Sequence, residues 1–270
     1  VILWCGSTDD SNVKGTIWEG ITIYGPYLAS WSRGYFNNNL KHDVNNKTKT
    51  FLCFNRVLRP HRVKLVADLV ERDMLDNNYI SFFKNQVHSK TNNDQYKETI
   101  NFHFSKQEQQ KIISTLSSFE GDLYIDDIDP GLNQASTRCP TEFYETSFFS
   151  LVTETMFFED DPFFSEKIFK PIVFKQPFVL VCQHLSVAKL KGLGFRVFDK
   201  WFDLSYDNMA EPLERMNAIV AELVRIESLP LQKKREMFEE MREDCEYNYK
   251  LLTENVEELV YKHSNIRSFL

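Results

Sequence analysis

Glycine is scarce in this 270-residue chain: nine residues, against 23 phenylalanines and 11 tyrosines. That balance favours thick aromatic cores and stacking surfaces. No apolar run approaches the roughly 20 residues that a membrane helix needs, so no helical membrane span is expected. The five cysteines, Cys5, Cys53, Cys139, Cys182 and Cys245, are odd in number and widely spaced. They form no Cys-X-X-Cys pair, and no cysteine–histidine pairing among them suggests zinc. Reduced structural thiols of a cytoplasmic protein are the expectation. Basic residues are outnumbered, 32 Lys and Arg against 39 Asp and Glu, for a net charge of −7. This argues against a large nucleic-acid footprint and leaves room for a local basic groove. The opening run Val1–Cys5 lacks a basic segment and reads as a buried strand, not a signal peptide. Internal repeats and low-complexity segments do not stand out.

What is present reads as a globular α/β protein, with 42% hydrophobic and 26% charged residues and enough length for one large domain or two small ones. After the first strand comes a polar loop with Asp9 and Asp10, either a substrate-contacting strand end or a plain turn. Glu19 is the other carboxylate of this aromatic region, and residues 37–49 read as an exposed loop. Phe51–Phe54 is a compact strand. Asn55, Arg56, Arg59, His61 and Arg62 follow at its junction with a helix that puts Val63, Val66, Leu69 and Val70 on one face. Guanidinium forks at such a junction suit phosphate oxygens; the alternative is a solvated helix start with salt bridges. Strands are also expected at 79–85 and 123–125, with Ser105 capping a helix over 106–116 between them. Asp127 and Asp129 have the spacing of a cation site, but a polar turn is preferred and no metal is expected.

The most informative stretch is 150–198. An apolar strand from Phe148 ends in Glu154, an acidic aromatic loop follows, and Ser165 opens a helix over 166–175. A continuous apolar strand (178–182), a second helix and a short strand at 196–198 complete the pattern. Strand–helix alternation of this kind predicts a parallel sheet, in which ligands sit where strands end and helices begin. That point carries Ser165, Glu166 and Lys167, with Lys170 one turn on. An acidic residue suits the first turn of a helix, whereas a lysine there is disfavoured unless an anion lies nearby. Phe163 and Phe164 either pack on a ligand base or belong to the core. The tail reads as three amphipathic helices, over about 211–227, 230–241 and 247–262.

The string Ser165-Glu166-Lys167-Ile168-Phe169-Lys170-Pro171, with Val152-Thr153-Glu154 before it and Gln176-Pro177-Phe178-Val179 after it, resembles the donor-binding core of the α1,3-fucosyltransferases, glycosyltransferase family 10. It is similar too to phage and bacterial glycosyltransferase-like proteins. The resemblance is carried by residues 150–198 and is thinner around 55–69. Phe164 stands where the family usually has Tyr, and Thr155 where it usually has Asn, so the donor need not be GDP-fucose. The resemblance implies two Rossmann-like lobes of GT-B type, residues 1–135 on the acceptor side and 136–270 on the donor side with C-terminal helices. It implies a nucleotide-sugar cosubstrate, GDP- or UDP-linked, and transfer to a glycan or other acceptor hydroxyl without a metal. Glu166 and Glu154 would contact donor hydroxyls, while Lys167 and Arg62, or Arg56, would meet the diphosphate. Glu19, Asp9 and Asp10 are the candidates for the general base, and the sequence does not choose among them. A modified base in phage DNA is one alternative acceptor, and an inactive transferase-like binding module is the alternative of a different class.

Overall fold

The computed structural model describes residues 40, 42–55, 57–85, 95–118, 122–123, 141–160 and 162–254; of Glu166 only the backbone is described. Asp9, Asp10, Glu19 and Arg56, the strand expected at Val1–Cys5 and the Asp127–Asp129 pair lie outside these residues.

Four apolar runs become strands: β1 (Lys49–Asn55), β2 (Tyr79–Phe82), β3 (Ser147–Thr153) and β4 (Phe178–Val181). All pair in parallel, in the order β2-β1-β3-β4. Every residue of β3 and β4 is buried, as a parallel strand covered on both faces requires. Alternate residues serve opposite faces. Phe51 and Cys53 join Phe82, Phe149 and Leu151 in the main core, while Leu52 and Phe54 meet Tyr144 and Phe174 on the other side.

The helices among the described residues are α1 (Pro60–Val70), α2 (Gln95–Thr99), α3 (Lys106–Leu116), α4 (Thr141–Thr146), α5 (Glu166–Val173), α6 (Ser186–Gly192), α7 (Pro212–Glu227) and α8 (Leu231–Glu254). The expected cap of α3 is present, with Ser105 Oγ accepting from Glu108 N at 3.2 Å. Within these residues no helix is long and apolar enough to cross a membrane. Cys53, Cys182 and Cys245 are buried free thiols.

Several local expectations are corrected. Residues 231–254 form one helix, so the break expected near 241 is absent. Residues 195–198 are not a strand of the sheet. The side chain of Asn248 on α8 takes the place of a strand partner, accepting from Arg196 N at 2.8 Å and donating to Arg196 O at 2.8 Å. Leu123 makes only an isolated antiparallel bridge to Phe82. The segment read as an exposed loop hides Lys47, which is fully buried. Its ammonium donates to the carbonyls of Tyr144, Glu145 and Ser147 at 3.2, 3.2 and 2.7 Å and meets His42 Nδ1 at 3.2 Å. A cation there satisfies the orphan carbonyls at the end of α4 and complements its dipole.

The boundary expected near residue 135 falls between strands that share a sheet. β1 and β3 pair directly, Phe51 with Phe149 and Leu52 with Ser150. The described residues thus build an α/β layer around one parallel sheet, and a two-lobe division is not seen among them.

Candidate functional site

The strand order changes direction between β1 and β3: β2 lies to one side of β1, and β3 and β4 to the other. In open parallel sheets this switch point leaves a crevice at the carboxyl ends of the two central strands. Here those ends are Asn55 and Glu154, and they are stitched together, with Thr153 Oγ1 donating to Asn55 Oδ1 at 2.6 Å.

The β1–α1 junction supplies His61 and Arg62, each 2% exposed. Arg62 donates to three backbone carbonyls: Nη1 to Val57 at 2.9 Å, and Nη2 to Thr153 at 2.8 Å and Glu154 at 3.1 Å. His61 Nε2 donates to the Glu154 carbonyl at 2.9 Å while the ring stacks on Phe157, centroids 5.3 Å apart. Burial, reinforced by the Arg62 charge, pushes the His61 pKa well below its usual value, so the ring is neutral at physiological pH. The cationic junction visible in the sequence therefore holds the end of β3 in place.

The β3–α5 junction carries the charged chain. Glu154 is 0% exposed. Its carboxylate accepts from Ser165 N at 3.1 Å and from Ser165 Oγ at 2.5 Å. Ser165 in turn caps α5, its Oγ accepting from Lys167 N at 3.3 Å, and the same oxygen accepts from Lys167 Nζ at 3.0 Å. Lys167 Nζ also reaches Thr155 Oγ1 at 3.3 Å. Carboxylate, hydroxyl and ammonium are thus strung along the first turn of an eight-residue helix. The anion that makes a lysine tolerable at this position is partly internal: the Glu154 carboxylate, relayed by Ser165. Removing the relay should be measurable. Ser165→Ala is expected to cost about 1 kcal/mol, the usual value of an N-cap, read as a lowered midpoint in urea melts.

The other expected residues divide. Lys170 is half-buried in the last turn of α5, where a cation suits the helix dipole in its own right. Glu166 opens the helix. Phe164 is 2% exposed and belongs to the core, which decides between its two readings; Phe163 is half-buried, and its N–H donates to Gln183 Oε1 at 3.2 Å. Among the described residues no group of three acidic, histidine or cysteine side chains is placed to hold a metal ion.

Sequence reasoning missed Arg215 and Asp207. Arg215, 2% exposed, sends its guanidinium to the carbonyls of Cys182, Met209, Ala210 and Phe157 at 3.1, 2.6, 3.1 and 2.6 Å. It also lies 4.5 Å over the Phe157 ring. The signal was present in α7: Arg215, Ile219, Glu222 and Ile226 share one buried stripe, so a charged side chain falls at a core position. Asp207 accepts from Val187 N and Ala188 N at 2.9 and 2.8 Å, filling the N-terminus of α6 from a distant loop. No sequence spacing announces that.

Comparison with protein-family models, with curated proteins and with solved structures returns no match for this chain.

Proposed function

We propose that this chain transfers a sugar from a nucleotide-sugar donor, GDP- or UDP-linked, to an acceptor hydroxyl, in one inverting displacement. The observation that carries this reading is the Glu154–Ser165–Lys167 chain at the switch point of a parallel sheet, the place where such sheets bind phosphorylated ligands. The resemblance of residues 150–198 to family 10 glycosyltransferases supports it. In this reading the donor diphosphate lies beside Lys167 Nζ, which stabilises negative charge developing on the leaving nucleotide. Glu154 is a positioning residue, because its buried oxygens are engaged by Ser165, and Arg62 holds the strand end that carries them. Arg56 stands as the second cation at the phosphates. The acceptor proton goes to a carboxylate of the amino-terminal region, with Glu19, Asp9 and Asp10 as candidates. The finer, GT-B-type division belongs to the same proposal, with its donor lobe starting at β1, since β1 pairs with β3.

The inward engagement of Arg62 and Glu154 also favours a second reading, a transferase-like module that binds a ligand without turnover. A thermal-shift series with GDP, UDP, CDP, ADP and dTDP, followed by a donor-hydrolysis assay, separates the two. Donor binding raises the melting temperature by mass action, and one nucleotide is expected to respond. Lys167→Ala is expected to weaken that nucleotide roughly 10- to 100-fold, the worth of a hydrogen bond to a charged group. A protein that no nucleotide shifts at millimolar concentration is not a nucleotide-sugar transferase. One that binds a nucleotide sugar and never cleaves it is the inactive module.

A further inference from the structure

The loop that leaves β3 carries an aromatic shelf, next to the His61 ring, that the charged chain does not use. Phe158, in the loop between β3 and α5, is half-buried, and the exposed ring of His103 stacks on it with centroids 4.3 Å apart and planes 28° off parallel. Phe102, next to His103, is 94% exposed. Phe158 packs against the core from one side, whereas His103 and its neighbour Phe102 are solvated, so core packing does not account for the ring that His103 lays on it.

Both sides of the shelf are held rigidly. Behind Phe158, the Glu159 carboxylate accepts from Phe157 N and Phe158 N at 2.9 and 3.0 Å. Phe157 is itself clamped between the His61 ring and the Arg215 guanidinium. Phe158 also meets the edges of Phe104 and Phe157, centroids 5.9 and 5.3 Å away. Beneath His103, the buried Gln109 donates from Nε2 to the carbonyls of Asn101 and Phe104 at 3.0 and 2.7 Å, fixing the turn from α3. An exposed ring presented by two pinned loops is pre-organised, which lowers the cost of binding a planar ligand.

The shelf is also within reach of the phosphate site. Thr155, whose hydroxyl meets Lys167 Nζ, is three residues from Phe158, so their Cα atoms lie at most about 11 Å apart, with the ring stack one side chain beyond. A nucleoside diphosphate bridges such a separation with its phosphates at one end and its base at the other.

The geometry points to His103, stacked on Phe158 and flanked by Phe102, as the platform for the nucleobase of the donor. This rests on the phosphate site proposed at Lys167. The planar base extends the Phe158–His103 stack by one ring, a contact worth roughly ten-fold in affinity on the scale of base–aromatic stacking.

The test measures dissociation constants by calorimetry for the nucleoside diphosphate that responds in the thermal-shift series and for inorganic pyrophosphate. Wild type, His103→Ala and His103→Phe are compared. His103→Ala is expected to weaken the nucleotide roughly ten-fold and leave pyrophosphate unchanged, while His103→Phe, which keeps a flat ring, retains nucleotide affinity. An unchanged nucleotide affinity in His103→Ala overturns the platform, as does an equal loss for both ligands or a failure of phenylalanine to restore binding. These outcomes leave the Lys167 site standing. A wild-type protein that binds neither ligand removes the phosphate site, and the platform with it.

Discussion

Arg215→Met lowers the stability of the fold by about 3–5 kcal/mol, because it strips the donors from several buried carbonyls at once. The guanidinium meets four backbone carbonyls from three separate places: the end of β4, the β3–α5 loop and the approach to α7. Methionine fills much of the same volume, so the loss isolates the donors rather than a cavity. Each carbonyl left without a partner costs about 1–3 kcal/mol, unless water reaches it. Against a typical total of about 5–15 kcal/mol this is a large fraction. Arg215→Lys recovers only part, because a compact ammonium cannot fork to carbonyls on opposite sides. Urea melts of the three proteins measure both effects. A loss under about 1 kcal/mol for methionine would mean that solvent takes over the carbonyls, and that the loop carrying Phe157 is not held from α7.

The second large effect is with pH. Burial, with the Lys47 charge adding to it, pushes the half-buried His42 imidazole down to about 4, and burial with the Arg62 charge pushes His61 well below its usual value. Unfolded histidines take up protons near pH 6.5, while the folded protein keeps these two rings neutral. The unfolded state therefore binds more protons as the pH drops, and stability falls from about pH 6.5 downward. For His42 the loss amounts to about 3 kcal/mol and levels off below a pH of about 4; His61 adds a loss of the same sign.

On the alkaline side two effects oppose each other. Burial pulls Lys47 down to about 7, so stability gains as the pH rises above 7, where the folded state sheds a proton that the unfolded chain keeps. Burial pushes Cys53 up to about 12 and Cys182 and Cys245 higher still, so unfolded thiols ionise from about pH 8.5 while the folded ones cannot, and stability then declines. Burial also lowers Lys234, which adds to the gain, and raises Tyr206, which adds to the decline, so the opposing groups set a maximum on the alkaline side of neutrality. Denaturant melts between pH 4 and 10 should show this maximum. His61→Gln, which keeps a donor for the Glu154 carbonyl, should flatten the acid limb. A flat acid limb in the wild type would contradict the neutral imidazoles.

Much of the local structure was legible in the chain. β1, β3 and β4 appear as short apolar runs, and Ser105 and Ser165 mark helix starts, because caps and apolar runs depend on neighbours a few residues away. The candidate site was legible to the same depth. A serine and a lysine where a strand gives way to a helix were visible, and the structure brings Glu154 to them across the intervening loop. The errors were of another kind. An arginine reads the same whether it faces phosphate or backbone, and the Arg62 guanidinium turns to the carbonyls of residues 153 and 154. Lysine is usually solvated, yet three carbonyls bury Lys47 inside the segment that reads as an exposed loop. Residues 196–198 have the composition of a strand, yet the Arg196 backbone is taken up by the Asn248 side chain and they stay outside the sheet.

What the sequence by itself determined is most of the elements: buried parallel strands, capped helices and a cation at the mouth of one of them. Only the tertiary structure decided the order β2-β1-β3-β4, which lays Asn55 against Thr153, places the switch point at Glu154 and runs the sheet through the boundary expected near residue 135. The physical reason is range. Hydrophobic period and capping are written within a turn or two of the chain, whereas strand order and the partners of a buried charge depend on backbone groups far away in sequence, which carry no signature of their own.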